Sequence, residues 1–79
     1  MRVYPNPADD AVKVDVVGFD RNLSYSIFDS FGRKLETRAV SRRNETETFE
    51  LSVAFLAKGI YFVEIYDGLQ RGTIRLIKS

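Results

Sequence analysis

The sequence predicts an all-β fold, an antiparallel β-sandwich of about seven short strands. Three observations point there. Short stretches alternate apolar and polar residues with a period of two, the mark of strands with one buried and one wet face. Clusters of Gly, Pro, Asn and Asp separate those stretches at regular intervals. No stretch sustains a helical apolar period over three turns, and Val53 to Leu56 offers a single turn at most.

The elements follow in chain order. Val3-Tyr4 is a brief apolar strand. Pro5-Asn6-Pro7 cannot lie in a central strand, because two prolines remove ladder donors, and it reads as a stiff, extended elbow. Ala8-Asp9-Asp10 continues it as a polar turn. Ala11 to Val17 is a strand with Val12, Val14 and Val16 inward and Lys13 and Asp15 outward. A loop follows from Gly18 to Asn22. Leu23 to Phe28 places Leu23, Tyr25 and Ile27 on one face.

Asp29-Ser30-Phe31-Gly32 is a hairpin connection, in which the Asp29 carboxylate accepts from amides two residues on and Gly32 suits a left-handed bulge position. Lys34 to Val40 returns with Leu35 inward, and the charges Lys34, Glu36 and Arg38 suit an edge strand. Ser41 to Thr46 is a loop without apolar residues. Thr48 to Val53 is a strand with Phe49 and Leu51 inward.

Leu56 to Tyr66 is the most apolar stretch. Gly59 lets the chain turn sharply into a strand rich in β-branched and aromatic residues. Tyr61, Val63 and Ile65 share one face, and Ile60, Phe62, Glu64 and Tyr66 the other. Only the second face carries a charge, so the first is assigned to the core. A strand this apolar belongs in the middle of its sheet. Asp67-Gly68 reads as a two-residue hairpin turn. Leu69 to Lys78 is the last strand, with a bulge at Gly72, Ile74 and Leu76 inward, and Arg75 and Lys78 toward solvent.

Composition narrows function. With 79 residues the chain makes one domain, too small to hold a large core. It has no Cys, His or Trp, which excludes disulfides and zinc sites built on Cys or His, and leaves a Ser or Thr nucleophile without a His base. The chain therefore reads as a non-enzyme without metal or cofactor. Twelve basic against eleven acidic residues give a net charge of +1, which supports neither a nucleic-acid nor an anionic-membrane partner. No apolar run is long enough to span a bilayer, and the N-terminus lacks the apolar core of a signal peptide.

Isolated motifs have bland readings. Asp9-Asp10 reads as a solvated turn rather than half a calcium site. Arg42-Arg43 reads as a solvated loop, and Asn44-Glu45-Thr46 matches the Asn-glycosylation pattern by composition alone. Phe62, Tyr66 and Ile77 fall on the outward faces of the last two strands. Two readings stand for them: an apolar docking patch, or a face covered by another strand.

Four stretches coincide in order and spacing: Val3-Tyr4-Pro5-Asn6-Pro7-Ala8, Ile27-Phe28-Asp29-Ser30-Phe31-Gly32-Arg33, Leu56-Ala57-Lys58-Gly59-Ile60-Tyr61 and Ile74-Arg75-Leu76-Ile77-Lys78. Together they resemble the type A C-terminal sorting domain of the bacterial type IX (Por) secretion system, over nearly the whole chain. Arg75 stands where a lysine is common, and Lys58 where a small residue or proline often precedes the glycine. The resemblance implies an immunoglobulin-like β-sandwich at the C-terminus of an exported cargo protein of a Gram-negative bacterium. It implies recognition by the outer-membrane translocon. It further implies removal by a sortase-like cysteine peptidase that attaches the cargo to the cell surface, with passage through the periplasm. Gly59, Tyr61, Arg75 and Lys78 would carry the signal, and Pro5, Asn6 and Pro7 would set an elbow near the cleavage region. The alternative is a generic β-sandwich module of a surface protein that binds carbohydrate or another protein.

Overall fold

The structure, a computed structural model, describes residues 1–19, 22–41 and 48–79. Seven strands and no helix are found among them: β1 (Arg2–Tyr4), β2 (Ala11–Asp15), β3 (Asn22–Asp29), β4 (Lys34–Ser41), β5 (Phe49–Ser52), β6 (Gly59–Tyr66) and β7 (Arg71–Lys78). All pair antiparallel, in a three-stranded sheet of order β1-β2-β5 and a four-stranded sheet of order β4-β3-β6-β7. The two sheets face each other as a small β-sandwich. The apolar β6 is internal to its sheet, and the charged β4 is an edge.

The core is the sum of the alternating inner faces. Val12, Val14 and Val16 from the smaller sheet meet Ile27, Val63, Ile65 and Leu76 from the larger one, all buried. Tyr25 and Phe49 bridge the sheets with stacked rings 6.2 Å apart. Phe19 is buried although it lies in a loop. Its ring reaches Gly72: a Cβ on that glycine would stand 3.3 Å from Phe19 Cζ. Gly72 therefore makes room for a ring and does not form a bulge, and the β6–β7 register runs unbroken through Ile65↔Gly72.

The bulge lies elsewhere, in the β3–β4 pair between Ile27↔Glu36 and Phe28↔Lys34. Leu35 is the extra residue, and it faces out with 43% of its surface exposed. The register sets Glu36, Arg38 and Val40 opposite Ile27, Tyr25 and Leu23, so these three take the inner phase. An inner Glu and Arg are tolerable because β4 is the edge of the wider sheet. They also pair with each other, with Arg38 Nε donating to Glu36 Oε1 at 2.9 Å. Burial raises the Tyr25 phenol above its ordinary pKa, and nearby Glu36 adds to the rise.

The hairpin at 29–33 closes as its sequence suggests. Asp29 Oδ1 accepts from the amides of Phe31 and Arg33, both at 2.9 Å, and Oδ2 accepts from Arg33 Nε at 2.7 Å. Gly32 takes φ +84°, in the left-handed region that favours glycine. The Arg33 amide, more than any other donor, holds the Asp29 carboxyl below its usual range. Asp15 is lowered too, first by the Thr48 hydroxyl at 2.6 Å and also by Arg2 and Tyr4.

The β6–β7 turn is longer than the Asp67-Gly68 pair suggests. Tyr66 pairs with Arg71, which leaves four residues in the loop. Asp67 Oδ1 accepts from the amides of Leu69 and Gln70, at 2.9 and 2.6 Å. That side-chain cap lets a four-residue loop compete with a tight turn. β2 likewise ends at Asp15, and Val17 is exposed. Arg42-Arg43 and Asn44-Glu45-Thr46 lie outside the described residues.

Candidate functional site

The elbow leaves β1 of the smaller sheet and crosses to β7, the edge of the larger one. Both of its prolyl bonds, Tyr4-Pro5 and Asn6-Pro7, are cis, and residues 5–7 bend where an extended run was expected. Pro5 and Pro7 have no N–H to offer a strand edge. Asn6 between them supplies the missing groups from its side chain. Its Nδ2 donates to the carbonyl of Arg75 and its Oδ1 accepts from the amide of Ile77, both at 2.9 Å. One primary amide thus imitates a peptide unit of a neighbouring strand.

The next residue but one completes the contact with real backbone. The Ala8 amide donates to the Ile77 carbonyl at 2.7 Å, and the Ser79 amide donates to the Ala8 carbonyl at 2.8 Å. Ala8 and Lys78 form an isolated parallel bridge. Ser79 Oγ also reaches the Ala8 carbonyl at 2.9 Å and Asp9 Oδ1 at 2.8 Å. The amide of Val53 donates to the Asp10 carbonyl at 2.7 Å and ties the same segment to the end of β5. Ala8 is fully buried by these contacts, so the segment after the elbow is a strap rather than the open polar turn its composition suggests. Asp9 belongs to that strap through Ser79. Farther back, Met1 lies close to Gly72. The N-terminal segment therefore follows β7 in the same direction and covers its open edge from Arg75 to Ser79.

Each candidate residue has a definite place. Tyr61 is buried at the rim of the core and its hydroxyl donates to the Ala57 carbonyl at 2.6 Å, which closes the loop before β6. Gly59 has φ +158°, and a Cβ there would stand 3.8 Å from the Tyr61 ring. The backbone runs under that ring at a positive φ that side chains rarely adopt, as the sequence reading of Gly59 expected. Arg75 is exposed on the outer face of β7, opposite Phe62. Lys78 is only 9% exposed, contrary to its expected solvent position, because the alternation that buries Leu76 carries two residues further along the strand. Lys78 thus packs its stem into the end of the sandwich.

Phe62, Tyr66 and Ile77 do lie on the outer face of the larger sheet, but Tyr66 stands apart from the other two. The Glu64 row separates Phe62 from Tyr66, whose ring sits under the Arg71 guanidinium 4.5 Å away. Ile77 instead pairs with Ile60, one row beyond Phe62. Ala8, Asp9 and Ser79 are the strap residues that sequence reasoning missed. Only the odd chemistry of an Asn flanked by two prolines hints at them.

The elbow with Ala8 and the last strand each coincide with one of the four motif stretches. The description of the secretion system C-terminal sorting domain matches residues 2–79. The chain belongs to that family, the type IX secretion sorting signals. No curated protein matches the chain. The sorting domain family is a signal family and not a catalytic one, and the match supports sorting over a generic binding module. Its role implies recognition by the type IX machinery, a fused cargo, and export through the outer membrane to the cell surface or beyond. No helix among the described residues is long and apolar enough to cross a membrane.

Proposed function

We propose that the type IX translocon reads this sorting domain as a folded object, along the strip where the N-terminal segment lies against β7. A sortase-like cysteine peptidase then cuts between cargo and domain and attaches the cargo to the cell surface. The observation that carries this reading is the Asn6 clamp. It fixes the segment that joins the cargo beside the strand that carries the C-terminal motif, so recognition of one brings the cut site of the other to a defined place.

The residues divide by role. Arg75 is presented to the reader. Pro5, Asn6 and Pro7 hold the strap, and Gly59, Tyr61 and Lys78 hold the end of the sandwich that the strap closes. The domain contributes no catalysis of its own, and with no His or Cys it depends on the peptidase for the cut. Mass spectrometry of a displayed cargo tests this. Its new C-terminus should lie ahead of β1, with the domain released whole. A cut inside β2 to β7, or a displayed cargo that keeps the domain, would contradict the reading.

A further inference from the structure

Exposed apolar side chains gather at one end of the outer face of the β4-β3-β6-β7 sheet. Ile60 is 46% exposed, Leu35 43% and Phe31 84%, and all three line one groove beside the loop closed by Tyr61. Phe28, Phe62 and Ile77 extend the same surface, half-buried in adjacent rows of the register. The opposite face of the molecule differs: the outward positions of β2 and β5 are Ala11, Lys13, Asp15, Glu50 and Ser52.

The charge around the apolar surface that is left without an ion-pair partner among the described residues is positive. Lys34 lies 5.8 Å from the Phe28 ring, Lys58 lines the groove, and Arg75 stands opposite Phe62. All three are exposed, and none makes an ion pair with another described residue. The nearby carboxylates are already engaged, Asp29 by Arg33 and Glu64 by Arg71. Three uncompensated cations on a chain of net charge +1 are a local concentration of charge, and they ring an apolar centre. An apolar centre with a charged rim is the anatomy of a protein–protein interface.

We infer that this end of the outer face docks a protein segment that carries acidic side chains beside aliphatic or aromatic ones. The inference rests on the sorting reading and assigns that segment to the export machinery. Leu35, Ile60 and Phe31 supply the buried centre, and Lys34, Lys58 and Arg75 select for acidic residues. The leucine pushed outward by the β3–β4 bulge thereby gains a use, since it widens the apolar centre toward the hairpin.

The test uses a reporter cargo fused ahead of the whole domain in a host with the type IX system. Three domains are compared: the natural one, one with Lys34→Glu, Lys58→Glu and Arg75→Glu together, and a control with Lys13→Glu on the other sheet. Display of the triple variant should fall about tenfold or more while the control displays normally. Melting of the purified domains shows that each is folded. Should the triple variant not fold, the single variant Ile60→Ser takes its place and should also lose display. A photo-crosslinking residue at position 60 should capture an acidic protein segment, and the same residue at position 13 should not.

Normal display from a folded triple variant, or from Ile60→Ser, overturns the docking surface but leaves the sorting reading intact. A crosslink from position 60 to lipid or polysaccharide overturns it as well. Failure of the natural domain to display the reporter strikes the sorting reading instead.

Discussion

β6 has two faces built from similar residues with opposite fates. Inward, Tyr61, Val63 and Ile65 are buried against the smaller sheet. Outward, Ile60 and Tyr66 are exposed and Phe62 is half-buried, with Glu64 among them. Hydrophobicity alone does not separate these sets; the partner sheet does. The inner set is held by cross-sheet packing, which stabilises the fold by removing apolar area from water. The outer set gives up that stabilisation, so its apolar character is left for an external partner. A single strand thus carries both the scaffold and the surface proposed to dock the export machinery.

The largest expected effect lies on the inner face. Leu76 is fully buried, and Leu76→Ala should cost about 2–5 kcal/mol. In a domain of this size that lowers the melting temperature by roughly 10 °C or more, readable by circular dichroism. Next comes Lys78, whose stem fills the end of the sandwich. Lys78→Ala should cost roughly 0.5–3 kcal/mol through lost packing, because it removes the hydrocarbon stem along with the charge. Equal melting of Lys78→Ala and the natural domain would return Lys78 to the surface and weaken the inner–outer division.

The strap ranks after these. Asn6→Ala removes two hydrogen bonds of about 0.5–1.5 kcal/mol each at most, because the site is exposed and water competes. Amide exchange at Ile77 reads the change directly, and should quicken in Asn6→Ala. Unchanged exchange would mean that Ala8 and Ser79 hold the edge without Asn6.

pH sharpens the comparison from another side. The pKa values of the Asp15 and Asp29 carboxyls are lowered in the folded state, so their contribution is present above the unfolded carboxylate value of about 3.9. It is lost as pH falls through the folded values. Melting temperature should therefore drop below about pH 4, and Asp29→Asn should flatten that drop. A drop of the same size in Asp29→Asn would move the acid sensitivity elsewhere. Arg75→Ala, on the outer face, should change stability by no more than about 0.5 kcal/mol.

Much of this division was legible in the residues. Val12, Val14 and Val16 against Lys13 and Asp15 leave one phase for β2, and the lone Glu64 orients β6. The placement of β4 at an edge follows from its charges. Its phase does not, because Leu35 is the one apolar residue in its first half and a bulge displaces it by one position. Lys78 misleads by its charge, although the alternation through Ile74 and Leu76 already turns it inward. The four-residue turn at 67–70 depends on Asp67 capping two amides, which a dipeptide pattern does not reveal. Asn6 stood out between its prolines, but its partners Arg75 and Ile77 lie some seventy residues away, at separations of 69 and 71.

The central claim is that inner residues hold the domain while outer and strap residues are read from it. Surface display of a fused reporter, measured beside the melting temperature of each variant, tests this most directly. In Leu76→Ala, display should fall together with melting. In Arg75→Glu with Lys34→Glu and Lys58→Glu, display should fall while melting stays close to that of the natural domain, and a reporter without the domain should remain in the periplasm. Display that simply follows melting across all variants, or that persists without the domain, would contradict the account.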